Sequence, residues 1–194
     1  MAETHVSRII LESAAGGPLP GWAEVARGVR VKRYRPKQEV FGDGDVHPYV
    51  YVVREGLLKL SYVNESGSEW IKSFAYEWRF FASISALDQD GRTSFAVTAL
   101  EPSVLERLDY RVLARMAERS LVWARALHTL LLVFAARKEQ RERELLTLSP
   151  RERYVAFRDA HPDLERRIPQ KDLARHLGVT AVGLNRIVMR IRRA

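Results

Sequence analysis

Ile168-Pro-Gln-Lys-Asp-Leu-Ala-Arg-His-Leu-Gly-Val-Thr-Ala-Val-Gly-Leu-Asn-Arg-Ile187 reads as two short helices joined by a tight turn. Pro169 and Gln170 suit a helix start, because proline in the first turn forfeits no helical hydrogen bond. Leu173, Ala174 and Leu177 share one face, and small Ala174 allows a second helix to cross closely. Gly178 stands where the chain must reverse, since glycine accepts φ > 0 without steric cost. Thr180 can cap the second helix through its hydroxyl, and Leu184, Ile187, Val188 and Ile191 form its inward stripe. The spacing predicts a helix-turn-helix, whose second helix enters the DNA major groove. An ordinary αα-corner would carry the same buried face.

Charge points the same way. The 194-residue chain has a formal net charge of +8, and residues 149–194 hold 11 Lys+Arg against 5 Asp+Glu. An excess concentrated on this segment suits an anionic partner such as double-stranded DNA. Hydrophobic residues make up 46%, enough for a sizeable core in one or two domains. Cysteine is absent, which excludes disulfides, cysteine-held zinc and a thiolate-held iron–sulfur cluster. The run Leu130–Ala136 is too short to span a bilayer, and the first residues lack a secretory pattern. A cytoplasmic chain with no membrane partner is expected.

Upstream the periodicity changes twice. Residues 1–27 read as an N-terminal helical cover broken at Gly16-Gly17-Pro18. Residues 28–109 alternate with period two and carry turn signals at Gly42-Asp-Gly-Asp45, Gly56 and Asn64-Glu-Ser-Gly67, the pattern of a small β-barrel or jelly roll; with a short helix read over Val112–Glu118 they make a β domain of residues 28–118. Tyr49–Val53 is apolar on both faces. Residues 119–147 predict one long helix. Trp123, Leu127, Leu130 and Phe134 step along it as an a/d seam widened by Leu131, which predicts a homodimer interface; packing on the chain's own barrel is the alternative. The following Arg137–Glu144 run is nearly charge-balanced and reads as a solvated helix end. Ser149 and Pro150 open a last domain, residues 148–194.

Together these segments resemble the family of the bacterial cAMP receptor protein and the fumarate–nitrate regulator, the Crp/Fnr family. The resemblance rests on Val40-Phe41, Gly44-Asp45, Tyr51-Val52-Val53, Gly56 and Leu58-Lys59-Leu60 in the β region. In the last domain it rests on Leu148-Ser-Pro-Arg-Glu-Arg-Tyr154 and Ile168–Ala174. It implies an α+β chain: a jelly-roll β-barrel effector domain like those that bind cyclic nucleotides, a long central dimerisation helix and a C-terminal winged helix-turn-helix. It also implies a dimer on a near-palindromic site, with RNA polymerase as a further partner and a small molecule as effector.

The effector is where this chain departs. Family members that bind cyclic nucleotides carry Gly-Glu for the ribose and Arg-Ser for the phosphate. Here Phe81-Ala82-Ser83 occupies the first place and Arg92-Thr93-Ser94 the second, with the arginine shifted by one. A ribose hydroxyl wants a buried acceptor and a cyclic phosphate a positioned cation, so cAMP is not expected. Another anion at Arg92 and Thr93, or no ligand, remains. Haem would have only His47 or His128 as proposed ligands. A cupin-like enzyme would need clustered histidines where the barrel has only His47, so no enzyme and no cofactor is expected.

Mapped onto the family, Thr180, Ala181, Val182, Asn185 and Arg186 project from the recognition helix. Arg186 is the expected base reader, through guanine O6 and N7. Asn185 suits adenine or phosphate, Thr180 a phosphate, and Val182 only a thymine methyl. Gln170, Lys171, Arg190, Arg192 and Arg193 are candidates for backbone contacts. A competing reading keeps a ligand-binding module but gives its helix-turn-helix a protein contact.

Overall fold

The computed structural model describes residues 5–88 and 91–193; residues 1–4 of the helical cover and Ala194 of the last domain lie outside them. α1 (Val6–Ala15) and α2 (Trp22–Ala26) come first. Eight strands follow: β1 (Arg30–Tyr34), β2 (Glu39–Phe41), β3 (Tyr49–Glu55), β4 (Leu57–Val63), β5 (Glu69–Tyr76), β6 (Phe80–Phe81), β7 (Ala96–Ala99) and β8 (Ser103–Asp109), with the short α3 (Ile84–Leu87) before β7. They form two antiparallel four-stranded sheets, in the orders β1-β8-β3-β6 and β2-β7-β4-β5. The expected barrel is therefore a sandwich. Period-two patterning fixes which face of each strand is apolar, not whether edge strands join, and β1, β6, β2 and β5 remain edges.

The sandwich interior is built from Tyr34, Phe41, Tyr51, Val53, Leu58, Leu60, Phe81, Phe95 and Leu105. The two-faced reading of β3 holds: Tyr51 and Val53 point into this core, while Val52 packs on the helices outside. Those helices are α1, α2, α4 (Tyr110–Arg119) and the first half of α5 (Leu121–Thr147).

The seam assigned to dimerisation faces this way too. Trp123 is fully buried, stacks on Trp22 at 6.2 Å and donates its indole N–H to the Pro20 carbonyl at 2.7 Å. Leu127 and Leu130 pack against the same cluster. Trp123 thus belongs to the chain's own core and cannot serve an interface. A seam shows that a helix has an apolar face, not what covers it. The large apolar residues of α5 that are exposed are instead Leu121, Leu131, Leu132, Val133, Leu145 and Leu146.

The last domain is α6 (Pro150–Ala160), α7 (Pro162–Arg167), α8 (Gln170–His176) and α9 (Ala181–Arg192). Ser149 and Glu152 make a reciprocal capping box on α6. Among the described residues no strand follows Asp109, so the wing implied by the family resemblance is not seen. Local sequence supports this, since residues 150–192 supply helix starts and caps but no period-two run. No described helix is long and apolar enough to cross a membrane.

Candidate nucleic-acid interface and effector cleft

The turn between α8 and α9 forms as its residues dictate. Gly178 adopts φ 70°, and the Thr180 hydroxyl accepts the Gly183 N–H at 3.0 Å. Leu184 is fully buried, with Ile187, Val188 and Ile191 packed beside it. This rotation leaves Ala181, Val182, Asn185, Arg186 and Arg190 exposed on α9, and Thr180 exposed at its cap. Gln170 and Lys171 are exposed at the start of α8. Arg192 and Arg193 are exposed as well, so all ten candidate DNA contacts are accessible. Met189, 43% exposed, lies on the same stripe, four residues after Asn185. Helical spacing alone could have included it.

α8 itself is clamped to the outer face of β5, a contact that sequence reading missed. Arg167 donates both terminal nitrogens to Glu77, at 2.8 and 3.0 Å, and also pairs with Glu101. Glu77 in turn accepts the Gly56 N–H at 2.9 Å. Burial alone would lift the Glu77 carboxyl; the Arg167 guanidinium and the backbone donors more than reverse this and hold it below the usual carboxylate range. Glu69 accepts from Lys59 and from Arg175. The buried Asp172 carboxylate lies 3.8 Å from Lys59 and 4.0 Å from Arg175.

His176 is buried between Phe74 and Phe157, with Nδ1 3.3 Å from the Ile71 carbonyl. Burial pushes its pKa down to about 3, so the ring is neutral at ordinary pH. Arg141 on α5 donates to the His176 carbonyl, and Arg153 to that of Leu177 at 3.0 Å. The supposedly solvated charged run therefore has at least one structural member. Charge balance cannot reveal that an arginine reaches a carbonyl on another helix.

Of the nucleotide-type residues, Ser83 and Ser94 bond to each other, while Arg92 and Thr93 bond to the Gly42–Asp45 turn. Phe81, Ala82, Ser83 and Thr93 are all buried. The Ser83 hydroxyl oxygen accepts the Ser94 N–H at 3.0 Å. Thr93 Oγ1 donates to the Gly42 carbonyl at 2.6 Å and accepts the Asp45 N–H at 3.0 Å. Arg92 donates to the Gly44 carbonyl at 2.8 Å. The Thr93 hydroxyl proton is thus committed to protein, and an anion shared by Arg92 and Thr93 is not what this loop is arranged for. Beside it the interior is filled by the rings of Phe41, Tyr51, Phe81 and Phe95. His47, one proposed haem ligand, stacks on Tyr51 with its Nε2 2.5 Å from the phenol oxygen. His128, the other, is exposed on α5.

A separate void lies elsewhere. A cleft of about 900 Å³ separates β5 and β6 from the second half of α5 and from α6. Leu60, Phe74, Phe80, Phe81, Val133 and Phe134 give it apolar walls, and Lys72 enters it from β5. The β4–β5 register slips between Leu60/Ser73 and Ser61/Ile71, so Lys72 is the extra residue of a β-bulge. Below the bulge Phe74 and Tyr76 pack toward the last domain, whereas Lys72 turns inward and sets its ammonium 3.8 Å from the Phe95 ring centroid. Strict alternation places Lys72 with Phe74 and Tyr76, which is why sequence reading missed it.

Residues 31–120 match the family described as the cyclic nucleotide-binding domain. No curated protein matches the sequence. FixK2 from Bradyrhizobium japonicum superposes with a TM-score of 0.73 at 18% identity, covering 85% of each chain. The c-di-GMP responsive global regulator CLP from Xanthomonas campestris gives 0.70 at 16%, covering 89% of this chain and 91% of that one. A protein described as a Crp/Fnr-family regulator, from Eubacterium rectale, gives 0.70 at 13%, covering 89% and 86%. At these identities the likeness establishes the fold.

Proposed function

We propose that this chain, which carries a domain of the cyclic nucleotide-binding family within a fold shared with Crp/Fnr regulators, is a dimeric, sequence-specific DNA-binding transcription regulator. The observation that carries this reading is the outward stripe of α9: Thr180, Asn185, Arg186 and Arg190 are exposed while Leu184 is fully buried. Net positive charge concentrated on that domain supplies the phosphate attraction. The sensor is degenerate as a nucleotide site, because the hydroxyls of Ser83 and Thr93 bond to the chain's own backbone instead of presenting themselves to a ligand. RNA polymerase is the further partner the resemblance implies. The chain would work in the cytoplasm.

Selection of bound duplexes from a random pool tests the reading. A near-palindrome is expected, with half-sites about 34–36 Å apart along the helix axis. Absence of any enriched sequence at moderate salt would sink it. Arg186→Ala should weaken binding to the selected site by about 1–3 kcal/mol and relax preference at one base pair per half-site. An equal loss on every sequence would reassign Arg186 to the backbone.

Two copies are proposed to meet along the exposed face of α5. Leu131 and Leu132 are 54% and 55% exposed, and Phe134, half-buried, borders them. Leu132→Glu should convert the dimer to a monomer in light scattering while leaving the Trp123 core intact; an unchanged mass would refute the interface. A second reading, in which α9 docks a protein, rests on the exposed Val182 and Met189. The same duplex selection separates the two.

A further inference from the structure

We propose that the cleft between β5 and α5 binds a small organic carboxylate with an apolar body, acyl or aromatic, whose charge is met by Lys72. The closed loop around Ser83 and Thr93 is then not this chain's effector site. Three observations converge on the cleft. Its volume of about 900 Å³ lies within the range of ligand pockets. Its walls are Leu60, Phe74, Phe80, Phe81, Val133 and Phe134, which suit a hydrocarbon or a ring and offer a ribose little to bond. Among the described residues no ion pair involves Lys72; its ammonium sits against the rings of Phe95, at 3.8 Å, and Tyr62, at 5.5 Å.

A half-buried ammonium without a carboxylate is costly. The ring faces recover part of that cost, and a ligand carboxylate would recover more. The strain shows in the Lys72 pKa, which burial and the nearby Lys138 push down to about 8. The bulge that aims Lys72 inward is the kind of local distortion that redirects a side chain toward a site. Arg79, Arg137 and Lys138 add positive charge to the lining, which also holds Glu142 and Glu144 further along α5, while Arg141 and Arg153 are occupied by backbone carbonyls. The remaining wall comes from Phe157, His161 and His176 of the last domain, so an occupant touches both the sandwich and the support of α9.

The regulatory meaning rests on the DNA-binding reading, but the binding itself does not, and the test uses no DNA. The full chain is titrated calorimetrically at neutral pH with decanoate and phenylbutyrate, each beside its matching alcohol. At least one carboxylate should bind more tightly than its alcohol. Lys72→Met should weaken that carboxylate by about tenfold or more, the scale of one charge-assisted hydrogen bond, and leave the alcohol unchanged. Lys72→Arg should retain binding, which guards against a folding defect in the methionine variant. The proposal is overturned if neither carboxylate outbinds its alcohol, or if Lys72→Met binds as the wild type does.

Discussion

Glu106→Ala should lower unfolding stability by about 3–5 kcal/mol, the scale for removing one partner from a buried charged cluster. Glu106 lies in β8 and is fully buried. Its two carboxylate oxygens accept the backbone N–H groups of Val6 and Ser7, each at 2.8 Å. These are the first donors of α1, whose N-cap residue His5 makes no side-chain cap. The carboxylate therefore caps a helix about a hundred residues away in sequence, where the helix dipole also favours negative charge. Arg54 lies 3.7 Å from the same group. Alanine would strand two backbone donors and remove the counter-charge beside Arg54. Urea unfolding gives the number, and Glu106→Gln, which keeps acceptor capacity, should lose less. A loss below about 1 kcal/mol for alanine would mean that α1 is not held by this cap.

The second large effect is acid lability set by His176. An imidazole held at about 3 when folded, against 6.5 ordinarily, takes up a proton more readily once α8 leaves β5 or the chain unfolds. Its contribution is complete above the ordinary value. It is lost as pH falls from about 6.5 toward 3, by up to about 1.4 kcal/mol per pH unit. Between pH 6.5 and 5 that amounts to roughly 2 kcal/mol. His161 and His47 are also depressed by burial and add smaller slopes of the same sign. Glu69 and Glu77, held below the carboxylate range, add theirs only at lower pH. Urea midpoints at pH 7 and 5 for the wild type and His176→Leu make the test. The leucine variant should show most of the slope removed. Parallel pH dependence in the two chains would show that His176 is not the group responsible.

The features legible in sequence are the local ones. Gly178, Thr180 and the Ser149/Glu152 box act within a few residues of their own positions, so their chemistry could be read directly from the chain. The exposed stripe of α9 follows from the placement of Leu184. What escaped depends on contacts made across the chain. Trp123 carried the right period, yet only the folded chain shows Trp22 stacked on it. Arg167 looked like any surface arginine until folding brought Glu77 and Glu101 to it. Lys72 was hidden by a single-residue slip in register, which reverses every inference from alternation. Ser83 and Thr93 were read for what they could offer a ligand; their hydroxyls bond instead to the Ser94 N–H and to the Gly42 carbonyl and Asp45 N–H, a fact of side-chain direction that spacing cannot carry.

The cleft and α9 have a wall in common. Phe157 of α6, His161 just after it and His176 of α8 line the void, and Leu173 and Ala174 of α8, with Leu177 just beyond it, pack with Leu184 of α9. Coupling through such a shared support works equally in both directions. If an occupant of the cleft multiplies affinity for an operator by some factor, that operator multiplies affinity for the occupant by the same factor. Where that factor exceeds one, a promoter would collect the ligand as well as report it, and protein on the chromosome would fill at a lower ligand concentration than free protein does.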